Sequence, residues 1–154
     1  MNLQDYKKEY YKLKRKKNLS GEEALESVKK DCYNLQYVEK QTEAICIEAV
    51  KHCGLTLQFI KDQTDNICLE AVKQNGTALR YVDNQTEAIC MEAVIHTGFP
   101  FQYVKEQTEA ICIEAVKQNG MMLRYVKNQT EVICLKALET SPGALEYVNS
   151  NMFN

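Results

Sequence analysis

Four eleven-residue stretches, AICIEAVKHCG, NICLEAVKQNG, AICMEAVIHTG and AICIEAVKQNG, end at Gly54, Gly76, Gly98 and Gly120, so they recur every 22 residues. A unit that short cannot bury a core alone; it must stack on its like. The register runs from about Leu19 to Ser150 and makes six units. One column reads Ser20, Thr42, Thr64, Thr86, Thr108, Thr130; the column before it reads Leu19, Gln41, Gln63, Gln85, Gln107, Gln129. Apolar columns hold Ile45, Ile67, Ile89, Ile111 and Ile133, and Leu35, Leu57, Leu79, Phe101, Leu123 and Leu145. An aromatic column holds Tyr37, Phe59, Tyr81, Tyr103, Tyr125 and Tyr147.

Each unit reads as two short helices. Ser or Thr suits an N-cap, because its oxygen accepts a free N–H of the first turn. In the first unit Ser20 and Glu23 have capping-box spacing. The first helix then runs about 11 residues to a glycine expected at the left-handed C′ position. In the second unit Ile45, Cys46, Ile47, Ala49, Val50 and Cys53 cover about half of a helical wheel. The second helix, roughly residues 55–62, brings Leu57, Phe59 and Ile60 to meet it. Strand alternation does not persist, and the leucine-rich pattern L-x-x-L-x-L-x-x-N, which has a similar period, is missing. The expected fold is all-α: an α-solenoid of about six 22-residue helix pairs over residues 19–150, a basic capping helix over 1–18 and a tail over 151–154. A weaker 44-residue period overlies the first. His52 and Gln58 recur as His96 and Gln102, while Gln74, Asn75 and Arg80 recur as Gln118, Asn119 and Arg124.

The segment QTEAICIEAVKQNGMMLRYVKNQTEVIC resembles the tandem helical repeats of an uncharacterised domain family, abundant in giant DNA viruses of amoebae and also present in bacteria. Its typical signature, roughly ICLEAVKQNGxALxYVKxQT, covers residues 42–148; the chain departs from it at Glu23-Ala24-Leu25 and at Ser141-Pro142-Gly143. The resemblance implies helical repeats and a viral or virus-like origin. It carries over no catalytic residue.

Chemistry is sparse. Cys46, Cys68, Cys90, Cys112 and Cys134 form a column at one-unit spacing. Stacked helices lie about 8–10 Å apart, whereas a disulfide needs Cα atoms within about 7 Å and a shared zinc comparable closeness. The column therefore reads as buried, reduced and structural. Cys32 and Cys53 fall on different columns near helix ends, without a partner base. His52 and His96 each follow a glutamate, Glu48 and Glu92, by four residues, the spacing of solvated helix pairs. Glu48, Glu70, Glu92 and Glu114 read as a salt-laced face with Lys51, Lys73 and Lys117. No G-x-S-x-G, H-E-x-x-H or phosphate loop occurs, so neither a catalytic site, a metal site nor a cofactor is expected. The glutamine column reads as a tie between units, with a binding groove as its alternative.

Residues 1–18 carry Lys7, Lys8, Lys12, Lys14, Arg15, Lys16 and Lys17 against Asp5 and Glu9, leaving the remainder acidic. Leu3, Tyr6, Tyr10 and Leu13 keep helical spacing, which favours a cap over the first unit; the alternative is a tether to nucleic acid or an acidic surface. Neither a leader nor an apolar run long enough for a membrane helix is visible. These features, with seven cysteines, point to a reducing, cytoplasmic setting. The expected function is non-enzymatic: a scaffold for another protein, with no membrane partner. The runner-up is a nucleic-acid-binding repeat protein. The candidate surface is Lys7, Lys8, Lys12, Lys14, Arg15, Gln58, Arg80, Gln102 and Arg124.

Overall fold

A computed structural model describes residues 2–15 and 19–153. The chain divides into two compact units, residues 1–74 and 75–154. The first holds α1 (Leu3–Arg15), α2 (Gly21–Lys30), α3 (Glu43–His52) and α4 (Asp65–Gln74), with 3-10 helices at Cys32–Tyr37 and Gly54–Phe59. The second holds α5 (Glu87–Val94), α6 (Glu109–Gln118) and α7 (Glu131–Thr140). Its 3-10 helices are Gly76–Tyr81, Phe99–Tyr103, Gly120–Tyr125, Pro142–Tyr147 and Ser150–Phe153, the last falling where a tail was expected. The described residues are all-helical apart from one isolated bridge between Leu19 and Val38. Inside each unit, α2, α3 and α4 and likewise α5, α6 and α7 pack side by side in order, and the 3-10 helices up to Pro142–Tyr147 pack beside them in a second row.

The α-helices form where the threonines predict. Ile45, Ile67, Ile89, Ile111 and Ile133 donate their N–H groups to the Oγ1 atoms of Thr42, Thr64, Thr86, Thr108 and Thr130, at 3.3–3.5 Å. The buried stripe of α3, α4, α5 and α6 is a tetrad at i, i+1, i+4 and i+5, such as Ile111, Cys112, Ala115 and Val116, each at most 3% exposed. Each Ile or Val so buried contributes roughly 1.5–3 kcal/mol.

Several sequence expectations fail for local reasons. The second helix of each unit is not an α-helix over 55–62 but a 3-10 helix of five or six residues. An Asx turn starts it in three units. Asp31, Asn75 and Asn119 accept through Oδ1 from the N–H two residues on, at 3.0–3.1 Å. A backbone bond then closes the first turn three residues on, as from Ala78 N–H to the Asn75 carbonyl at 2.8 Å.

Nor are the glycines left-handed caps. Among the four, only Gly98 has positive φ, at 72°. The others are needed for space. A Cβ on Gly54 would collide with the carbonyl oxygen of Ala71, and one on Gly120 with that of Ala137. On Gly76 it would lie 2.5 Å from the Ala93 oxygen. The alanine column exists for the same close approach, since Ala71, Ala115 and Ala137 are fully buried. Gly98 differs because of Pro100, which has no N–H to close the turn. The closing bond moves on to Phe101 N–H and the Gly98 carbonyl, at 2.9 Å. Helix α5 accordingly ends at Val94, and His96 lies beyond it rather than on a helical face with Glu92.

The expected capping box at Ser20 and Glu23 does not form through Ser20, whose side chain makes no cap hydrogen bond. Its φ of −145° differs from the −77° to −107° of Thr42, Thr86, Thr108 and Thr130, and Gly21 behind it has φ +58°. Leu145 is 54% exposed, unlike the rest of its column, because no described element covers it. The N-terminal stripe is not buried either. Leu3, Tyr6 and Tyr10 are 84%, 62% and 52% exposed, so α1 does not cover the first unit with that face. Ala24 and Val28 of α2, which packs against α3 and the first 3-10 helix, are fully buried, and α1 meets that same 3-10 helix. The side chain of Leu13 lies outside the described residues.

Candidate interaction surface

The glutamine column is consumed by the fold. Gln41 Nε2 donates to the Phe59 carbonyl at 2.8 Å, and its Oε1 accepts from the Lys61 N–H at 3.0 Å. Gln85 pairs likewise with Tyr103 and Lys105 (3.0 and 2.9 Å), Gln107 with Tyr125 and Lys127 (2.8 and 2.9 Å), and Gln129 with Tyr147 and Asn149 (2.8 and 2.9 Å). The partners are always 18 and 20 residues further on. At the head of the column, Leu19 has no amide side chain, yet its main chain finds the same two partners. Its N–H donates to the Tyr37 carbonyl at 3.2 Å, and its carbonyl accepts from the Glu39 N–H at 3.0 Å. The glutamine amide at these four positions thus stands in for a peptide group, tying successive repeats inside each unit without a strand. The groove alternative has no free amides to work with at these four positions.

The cysteine column is equally internal. Cys46, Cys68, Cys90, Cys112 and Cys134 are buried and unbridged. Three of them donate to the preceding glutamine Oε1: Cys68 to Gln63 at 3.4 Å, Cys90 to Gln85 and Cys134 to Gln129 at 3.7 Å. Burial, with Asp62 and Glu43 nearby, pushes the Cys46 thiol up to about 11. Burial also raises Cys90, Cys112 and Cys134. Such thiols are neutral, poor nucleophiles.

The expected charged face is present as exposed pairs: Glu48 with His52 at 3.1 Å, Glu70 with Lys73 at 3.2 Å and Glu114 with Lys117 at 3.7 Å. Each is worth on the order of a few tenths of a kcal/mol. The sequence offered Glu48 two partners, Lys51 three residues on and His52 four residues on, and the imidazole takes the carboxylate.

What remains outward is the 3-10 row. Gln58, Arg80, Gln102 and Arg124 are all exposed. Gln58 belongs to the first unit and donates to its own Leu55 carbonyl at 3.0 Å. The other three stand on successive 3-10 helices of the second unit, where Gln102 donates to the Phe99 carbonyl at 3.3 Å. Arg80 lies 4.5 Å over the Tyr81 ring and donates to the Tyr81 hydroxyl, which, with that of Tyr103, raises its already high pKa. Arg124 lies 5.2 Å from the Tyr125 ring and 5.7 Å from the Tyr147 ring. Sequence reading found the arginines but took these tyrosines only as an aromatic column of the repeat; the signal was the adjacency of Arg and Tyr in LRYV, twice. Lysines in the same row act inward: Lys105 Nζ reaches the Val82 and Asp83 carbonyls at 3.2 and 3.1 Å, and Lys127 Nζ the Lys105 carbonyl at 3.0 Å.

On α1, Lys7, Lys8 and Lys12 are exposed, while the side chains of Lys14 and Arg15 lie outside the described residues. Among the described residues, no group of three or more His, Cys, Asp or Glu side chains could hold a metal, and no helix is long and apolar enough to cross a membrane.

A family model described as a domain of unknown function (DUF4116) matches residues 42–87, less than a third of the chain. The matched segment spans two successive 22-residue periods, from Thr42 to Glu87. Neither the curated proteins nor the solved structures yield a match.

Proposed function

We propose that the chain is an α-solenoid of six 22-residue repeats that acts as a non-catalytic scaffold for another protein. The amide ties support the solenoid reading, because they recur at the same spacing in residues 1–74 and again in residues 75–154. The observation that carries the docking reading is the outward row of Arg80, Tyr81, Gln102, Tyr103, Arg124 and Tyr125. Arginine and tyrosine are the residues that dominate protein–protein hot spots. Here each arginine is already ordered against a ring, so less side-chain entropy is lost on docking. Buried columns repeat while this row alternates Arg and Gln, which separates fold from specificity. The viral or virus-like setting and the intracellular location belong to this reading, through the family resemblance.

The test is a comparison of the full chain with its Arg80→Ala/Arg124→Ala variant in affinity capture followed by direct binding of the purified partner. The expected result is a partner that the double variant loses while its helical circular dichroism stays unchanged. Equal binding by both would remove this row from the interface. The second reading, a nucleic-acid-binding repeat, has one specific observation behind it: paired Arg and Tyr planes are also a platform for bases. It requires binding of single-stranded RNA that weakens steeply between about 50 and about 200 mM salt.

A further inference from the structure

Two of the seven cysteines stand apart from the buried column, and the first unit brings them together. Cys32 opens the 3-10 helix Cys32–Tyr37, and Cys53 immediately precedes the 3-10 helix Gly54–Phe59. These helices pack side by side. The two cysteines are 21 residues apart, one short of the period, so they fall on adjacent columns of neighbouring repeats. The Cys53 thiol lies 3.4 Å from the hydroxyl of Tyr33, the residue next to Cys32, and Cys53 is near enough to act on the Cys32 thiol. Both thiols are half-buried, whereas Cys46 and Cys68 of the same unit are buried. Tyr33 is 41% exposed and meets the Phe59 ring edge-on at 6.3 Å, which holds the rim of the pair in place.

We propose that Cys32 and Cys53 are a dithiol modification site that closes to an intramolecular disulfide on exchange with a low-molecular-weight disulfide such as oxidised glutathione. One cysteine thiolate attacks a sulfur of the glutathione disulfide, forming a mixed disulfide and expelling one glutathione thiolate. The second cysteine thiolate attacks the protein sulfur of that mixed disulfide, forming the Cys32–Cys53 bond and expelling the second glutathione thiolate. Each expelled thiolate takes up the proton that a cysteine lost. The protein pair is oxidised by two electrons and the glutathione disulfide is reduced to two thiols. Burial and the neighbouring Asp31 hold the Cys32 thiol above its ordinary pKa, so the exchange is slow at neutral pH and quickens as pH rises. The product pins the first 3-10 helix to the second and removes the thiol partner of the Tyr33 hydroxyl.

The experiment incubates the native full-length chain with excess oxidised glutathione at mildly alkaline pH, quenches with acid, and reads intact mass and a peptide map. The expected result is loss of two hydrogens, one peptide pair joined through Cys32 and Cys53, and five cysteines that alkylate after denaturation. Cys32→Ser and Cys53→Ser should each retain one glutathione on the remaining partner. An unchanged mass, stable glutathione on both residues of the parent, a bridge between other cysteines or a disulfide-linked dimer would each overturn the proposal. The parent's peptide map decides the matter even where a serine variant folds poorly.

Discussion

Gln85→Glu changes one atom type and reverses the logic of the tie. Gln85 Nε2 donates to the Leu79 carbonyl at 3.1 Å and the Tyr103 carbonyl at 3.0 Å, while Oε1 accepts from the Lys105 N–H at 2.9 Å. Gln85→Ala deletes these three bonds, at about 1 kcal/mol each, together with the weak one from the Cys90 thiol, but water reaches the half-buried site and leaves a loss of about 2 kcal/mol. That lowers the melting temperature by roughly 4–8 °C for a chain of this length. A carboxylate at the same position keeps the Lys105 bond and turns the other two into contacts between oxygens, for a loss of about 3–4 kcal/mol at neutral pH. The protonated acid can donate to one carbonyl, so the folded state raises its pKa above the unfolded value of about 4.3. The sign follows: a raised folded pKa gives stability that is complete below the unfolded pKa and is lost as pH rises through the folded one. Gln85→Glu should therefore be less stable than Gln85→Ala at pH near 7 and should gain on it as pH falls toward 5. Urea unfolding followed by far-ultraviolet circular dichroism measures both. A Gln85→Glu protein as stable as the parent at neutral pH, or a gap to Gln85→Ala that ignores pH, would show that the amide is not acting as a peptide surrogate.

Gly120→Ala should cost about 2–4 kcal/mol, because its methyl meets the Ala137 carbonyl and lies 2.8 Å from the Ser141 Cβ; Gly143→Ala, into open space, should be neutral or stabilise by up to about 1 kcal/mol. Thermal melts of the two variants check the contrast. Thr108→Ala should lose about 1 kcal/mol, since it removes the cap on Ile111 and the 2.7 Å bond from the Thr108 hydroxyl to Glu87, and denaturant titration reads it. Native protein at pH 8 should protect Cys46, Cys90 and Cys112 from a thiol reagent that labels all seven cysteines after denaturation. Because the Cys46 pKa is raised from 9.0 to about 11, its contribution to stability is whole below pH 9 and lost as pH rises through about 11, so Cys46→Ala should flatten that alkaline decline.

Legibility in the sequence divides along the range of the forces. A threonine cap is satisfied within three residues, so the Thr column marked every helix start from Glu43 onward without knowledge of the fold. The alternation of buried and exposed positions is equally local, and the tetrads of Ile, Cys, Ala and Val lie inside as their spacing required. The glycines mislead because two different causes write the same letter. Positive φ is a property of one residue, but the approach of the Ala71 carbonyl to Gly54 is made by a residue 17 positions away, and no single repeat contains both partners. The same distance hid the arginine and cysteine geometry. Tyr147 is 23 residues from Arg124, and Cys53 is 21 from Cys32, so each pair exists only once two repeats are stacked. The short 3-10 helices were misread for a related reason. A six-residue apolar segment looks helical by composition, and its one local mark of tighter winding, the asparagine ahead of the glycine that spends its side chain on an Asx turn, stands in only some of the repeats. Pro100 shows the rule by breaking it: where the closing N–H is absent, the turn slides one residue and the glycine there does become left-handed. In such a chain the columns across repeats, rather than the residues along one, carry the information that determines contact. Comparing Leu19 with the glutamines beneath it would have shown a main-chain amide and a side-chain amide in the same place, and with it the purpose of the column.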